Sequence, residues 1–226
     1  MARIQDRLRV AVSRTRGFIG ANVFDRRQGI DTSRIVDLAT DGVHTDGRIP
    51  YVPSSWRNLP SALRHIPISD DDVFLDLGSG KGRVVLQAAK RPFKRVIGVE
   101  LSEELHAVAV ANLEAVRPSL ACADVELIQA DITAYPIPDD VTVVYAYNPV
   151  RGALFEATMN QLIASYDRRP RPMHLLYRYP REHDLVAASG RFDLLQTVTT
   201  WRPRPSWSRA TAINIYAATP AHDLAA

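Results

Sequence analysis

Residues 76–82 read Asp-Leu-Gly-Ser-Gly-Lys-Gly, so that Gly78, Gly80 and Gly82 alternate after an acid two positions upstream. Glycines at this spacing, after the apolar run from Val73, let a strand turn sharply into a helix while the backbone comes close to a nucleoside. A dinucleotide-binding turn has the spacing G-x-G-x-x-G, whereas here it is G-x-G-x-G with Asp76 at its head. A fixed carboxylate repels a pyrophosphate and attracts an ammonium and a sulfonium. The spacing points to S-adenosylmethionine, with NAD(P) as the alternative occupant of the same turn.

Glu100 follows the apolar run 95–99, roughly two dozen residues after Asp76, where an acid can accept hydrogen bonds from both hydroxyls of a ribose. Asp131 lies just beyond the next apolar run, 125–129. Three acids at the carboxyl ends of three successive strands mark the edge at which a parallel sheet binds its ligand. Asn148-Pro149 stands just beyond the fourth run, Val141 onward, and is either a turn or part of a site.

The elements needed to position these residues follow from the same pattern. Strand-like runs at 73–77, 95–100, 125–129, 141–146 and 174–179 alternate with helical segments at 84–90, 102–117, 154–166 and 182–188, the mark of a doubly wound parallel sheet. Ser102, with Glu103 and Glu104 in the first turn, caps its helix, and Pro118 stops it. Runs 192–200 and 211–218 have no helix between them and read as an antiparallel pair joined by the proline-rich stretch 201–209. The predicted fold is an α/β, mostly parallel seven-stranded Rossmann-like sheet with its last strand antiparallel. Alternation places Tyr145 and Tyr147 on one face, and Tyr147 and Tyr179 at the carboxyl edge are the aromatic pocket candidates.

Residues 1–70 lack this alternation and read as an N-terminal helical cap, followed by the main unit at 71–220. Ile4, Leu8 and Val12 suggest a first helix, Asp41-Gly42 and Asp46-Gly47 turns, and 54–63 a short helix with Trp56, Leu59 and Leu63 inward. The chain has 226 residues, 46% of them hydrophobic, a net charge of +3 and one cysteine, Cys122. This suits a globular protein in a reducing compartment, with a cytoplasmic location as the expectation and no membrane association. The histidines show no metal-ligand spacing, so no metal is expected, and neither a hydrolase nucleophile motif nor a phosphate-loop motif occurs. A basic stripe is absent, which argues against a nucleic-acid partner.

Five parallel strands, the glycine turn and the antiparallel close together resemble the class I, or seven-strand, S-adenosylmethionine-dependent methyltransferases over about residues 50–218. The resemblance implies that Asp76, with Gly78, Ser79, Gly80 and Gly82, holds the methionyl end of the cofactor. It also implies Glu100 and Leu101 at the ribose and adenine, and Asp131 and Ile132 at the adenine. Asn148-Pro149-Val150-Arg151 resembles the Asn-Pro-Pro-Tyr motif of amino-methylating enzymes with two departures, Val150 for the second proline and no aromatic after it, and this implies a catalytic role for Asn148 and contact with the methionyl end. The segment Tyr51-Val52-Pro53-Ser54 before the glycine turn is similar to the seven-strand protein lysine methyltransferases, and implies Tyr51 as a lid over the cofactor. Pro149, Tyr147, Tyr179 and Trp201 are then the expected substrate contacts. The expected function is in-line methyl transfer to an amine or hydroxyl of a small molecule or protein by a monomer or homodimer. The alternatives are an NAD(P)-dependent oxidoreductase and a noncatalytic cofactor-binding protein. Asp76 and Glu100 are expected at the rim of a cleft.

Overall fold

The computed structural model describes residues 25–33, 51–199 and 212–220. Seven strands, β1 (Val73–Leu77), β2 (Arg95–Glu100), β3 (Val125–Gln129), β4 (Val141–Tyr147), β5 (His174–Arg178), β6 (Phe192–Thr199) and β7 (Ala212–Ala218), form one sheet in the order β3-β2-β1-β4-β5-β7-β6. The first five run parallel, and β7 enters antiparallel between β5 and β6. The sheet order reverses between β1 and β4, and this places the crevice of an open α/β sheet beyond the carboxyl ends of those strands.

The central strand β1 is buried throughout because helices cover both faces of the sheet. On one face Phe74, Val143, Tyr145, Leu176 and Ile213 pack under α1 (Asn58–Leu63) and α2 (Arg83–Ala89). On the other, Leu75, Leu77, Val144, Ala146 and Tyr177 pack under Phe155, Met159 and Leu162 of α4 (Ala153–Arg168) and Val186 of α5 (His183–Ala188). The helix α3 (Glu103–Val116) buries Leu105, Ala109, Leu113 and Val116, and the Ser102 hydroxyl accepts the Leu105 N–H as the sequence predicted. No helix among the described residues is long and apolar enough to cross a membrane.

The helix expected over 54–63 begins only at Asn58. Tertiary partners hold Ser54 outside it: its carbonyl accepts from Arg83, and its hydroxyl is 3.0 Å from that of the buried Tyr145. Leu59 and Leu63 are buried as expected, whereas Trp56 is only half-buried beneath the Arg83 guanidinium. Residues 4–12, the turns at 41–47 and the hairpin tip with Trp201 lie outside the described residues.

Candidate functional site

The turn after β1 is built from backbone. The N–H groups of Gly78 and Ser79 both donate to the Val99 carbonyl at 2.9 Å, and the Gly82 N–H donates to the Ser79 carbonyl at 2.9 Å. Gly78, Gly80 and Gly82 all have left-handed φ, of 76°, 55° and 79°. At Gly80 there is a second reason for glycine: a Cβ there would lie 2.2 Å from Cε2 of Tyr51. One at Gly78 would lie 3.0 Å from Cβ of Pro149. The structure therefore brings Tyr51 and Pro149 against the turn from two sides.

Asp76 and Glu100 are both more enclosed than a cleft rim requires. Asp76 is 3% exposed and accepts no hydrogen bond among the described residues. Burial strips its carboxylate of water, and the neighbouring charge of Glu100 adds to this, pushing its pKa well above the usual carboxylate range. Glu100 is 8% exposed, and its oxygens accept the N–H groups of Gly80, at 2.7 Å, and Ser102, at 2.9 Å. Burial raises its pKa too, against the opposing pull of these backbone donors. With one N–H on each oxygen the carboxylate plane is fixed, and lone pairs remain for a diol.

The Ala130 N–H donates to the Glu100 carbonyl, so Asp131 follows immediately beside the Glu100-Leu101 corner. Oδ1 of Asp131 accepts the N–H and hydroxyl of Thr133 at 3.0 and 2.8 Å. Its carbonyl accepts from Ala134 and Tyr135, so the residue also makes an ordinary turn. The Ile132 side chain is part of the core, and Leu101 is half-exposed.

Asn148 is fully buried, has a left-handed φ of 43°, and leaves its Nδ2 without a hydrogen-bond partner among the described residues. Its Oδ1 lies at the long distance of 3.4 Å from the donating Tyr177 hydroxyl. Asn148 thus combines left-handed backbone with a buried Nδ2 that has no hydrogen bond among the described residues, immediately before Pro149. Ser79 Oγ, in the glycine turn, is likewise buried without a partner among the described residues.

Tyr147 is half-buried, with the Arg178 guanidinium 4.2 Å above its ring. Tyr179 has a left-handed φ of 52°, and its hydroxyl accepts from Arg181 Nε at 2.9 Å. Sequence reasoning missed Tyr177 and Arg178. Tyr177 lies inside the sheet, and its hydroxyl bridges Asn148 and the Glu182 N–H. Arg178 is a buried strand residue whose Nη1 has no hydrogen-bond partner among the described residues. When the Asn58 amide oxygen faces it, its Nε and Nη2 donate there, at 2.5 and 3.3 Å. The available signal was register, since Arg178 ends β5 directly beside Tyr147 at the end of β4.

Residues 74–172 match the family model described as a methyltransferase domain. A Saccharolobus islandicus protein-lysine N-methyltransferase is 39% identical over 67 residues, covering 29% of this chain and 42% of the relative. The Drosophila melanogaster histone-lysine N-methyltransferase, H3 lysine-79 specific, is 43% identical over 54 residues, covering 24% of this chain and 3% of that one. The chain thus spans less than half the length of these relatives. An RNA methyltransferase from Salinibacter ruber, solved with S-adenosyl-L-homocysteine, shares the fold with a TM-score of 0.52 at 20% identity, over 76% of this chain and 95% of that one. With its glycine turn and acids at the carboxyl edge of a seven-strand sheet, this chain is similar to methyltransferase domains over residues 74–172.

Proposed function

We propose that the protein is an S-adenosylmethionine-dependent methyltransferase acting on an amine, with a protein lysine as acceptor. The observation that carries the cofactor assignment is Asp76, a buried carboxylate at the head of the glycine turn that accepts no hydrogen bond among the described residues. Such a group is costly unless a cation meets it, and the cofactor's ammonium is one. The residues present suit the rest of that group as well. Glu100, its plane fixed by two N–H donors, accepts the ribose hydroxyls. Leu101, Asp131 and Ile132 form the adenine corner, and Tyr51 closes over the turn.

When bound, the cofactor supplies a methyl group already activated by a sulfonium, so the protein needs to orient rather than to activate. Asn148, fixed by its strained backbone, presents a side-chain amide and a backbone carbonyl to an incoming amine, and Tyr177 holds that side chain in place. Tyr147, Pro149 and Tyr179 would line the acceptor's approach, while Trp201 lies outside the described residues. Lysine is favoured because two relatives are named as lysine methyltransferases. A small acceptor bearing a carboxylate is the second reading, favoured by Nη1 of Arg178, which is buried without a partner among the described residues.

Incubating the protein with methyl-labelled S-adenosylmethionine and separated protein and small-molecule fractions of a cell extract tests the acceptor. Methyl-lysine in hydrolysed protein is the expected product. Label confined to a small carboxylate would move the assignment to the second reading, and label in RNA would contradict both.

A further inference from the structure

We propose that Arg83 is a positioning residue for the cofactor site, holding residues 25–33 and Tyr51 closed over Gly80. This rests on the reading that the glycine turn takes S-adenosylmethionine, and it concerns a residue that touches neither the turn's ligand nor the acceptor. Arg83 is the first residue of α2 and is 4% exposed. Its Nε donates to Thr32 Oγ1 at 2.7 Å, its Nη2 to Ser33 Oγ at 2.6 Å and its Nη1 to the Ser54 carbonyl at 2.8 Å. One guanidinium therefore ties together two segments that are separated in sequence.

Asp25 completes the cluster. Its carboxylate lies 3.7 Å from Arg83 Nη2 and accepts the Thr32 N–H at 2.8 Å and the Thr32 hydroxyl at 3.1 Å. The Thr32 carbonyl in turn accepts the Tyr51 hydroxyl at 2.8 Å. The Tyr51 ring rests on Gly80, whose N–H fixes Glu100. An unbroken path of contacts thus runs from Arg83 through Thr32 and Tyr51 to the carboxylate assigned to the ribose.

Stability alone does not account for this choice of residue. A cation in the first turn of a helix opposes the helix dipole, and a buried ion pair repays little of its desolvation. Burial accordingly lowers the pKa of Arg83. What the fork geometry does provide is three donors in fixed directions, and here two meet acceptors on the strap formed by residues 25–33 and the third meets the Ser54 carbonyl. A separate attachment holds the far side of the strap: Lys81 Nζ pairs with Asp31 at 2.9 Å, and the Asn112 amide bonds the Asp31 N–H and carbonyl. Loss of Arg83 should therefore free Tyr51 and Ser54 while Asp31 stays docked.

Calorimetry with S-adenosylhomocysteine, together with amide hydrogen exchange, tests this on the full chain. Arg83→Gln is expected to weaken binding tenfold or more and to speed exchange at 51–54, with Arg83→Lys recovering part of both. Tyr51→Phe, which keeps the ring but loses the bond to Thr32, should weaken binding less, and adding it to Arg83→Gln should cost nothing further. A folded Arg83→Gln protein with wild-type affinity, or with unchanged exchange at 51–54, would overturn the proposal. If that variant fails to fold, Thr32→Val cuts the same path; the expected result is weaker binding, and wild-type affinity would be decisive against it. Should the wild-type protein itself bind no S-adenosylhomocysteine, the cofactor reading fails, and the exchange comparison still decides whether Arg83 places Tyr51.

Discussion

Asp76 makes the chemistry of this site sensitive to pH. Its folded-state pKa is raised, so between the ordinary carboxylate value and the raised one the folded protein binds more protons than the unfolded chain. Stability therefore falls as pH rises through that window, and Asp76→Asn should melt higher than wild type at neutral pH, with the difference fading below the usual carboxylate range. Binding has the opposite sign, because the cofactor's ammonium needs the ionised acid. Affinity for S-adenosylhomocysteine is expected to strengthen as pH rises through the same window, a dependence that calorimetry should find missing in Asp76→Asn. Glu100 behaves differently, since its carboxylate also satisfies two backbone donors. Glu100→Ala leaves both N–H groups unpaired, at about 1–3 kcal/mol each. That variant should lose thermal stability as well as cofactor binding, contrary to the rim position expected from sequence.

At the scale of elements, the turn between β1 and α2 is the least replaceable part of the molecule. Gly80→Ala forces a side chain into left-handed backbone, at about 1–2 kcal/mol, and drives Cβ into the Tyr51 ring. Denaturant unfolding should register at least that loss, and S-adenosylhomocysteine binding should fall with it. The strands, the Ser102 cap and the β6–β7 pair were legible because each depends on a local pattern: an apolar run, a capping hydroxyl, or a gap with no helical period. Ser54 and Arg178 were not. The first is drawn out of a helix by Arg83 and Tyr145, and the second is a charged residue held inside the sheet by Asn58 and Tyr147. Both depend on partners distant in sequence, to which periodicity is blind.

For the molecule as a whole, topology explains why the acids at 76, 100 and 131 belong together. Adjacent parallel strands β1, β2 and β3 end at one edge, and the order reversal between β1 and β4 brings Asn148 and Pro149 to the same crevice. The spacing of the acids was readable, but the burial of Asp76 and Glu100 was not, because the packing of Tyr51 on Gly80, next to Glu100, depends on side-chain contacts with residues 25–33. Asn148→Ala should separate the two halves of the site: S-adenosylhomocysteine affinity close to wild type, and methyl transfer in the labelled-extract assay reduced about 10-fold or more. The most direct measurement of the central claim is calorimetric titration of the wild-type protein and Asp76→Asn with S-adenosylhomocysteine and, separately, with NADH. Saturable binding of S-adenosylhomocysteine, weakened about 10- to 100-fold in Asp76→Asn, and no heat with NADH are expected. Tighter binding of NADH, or S-adenosylhomocysteine binding indifferent to Asp76, would contradict the account.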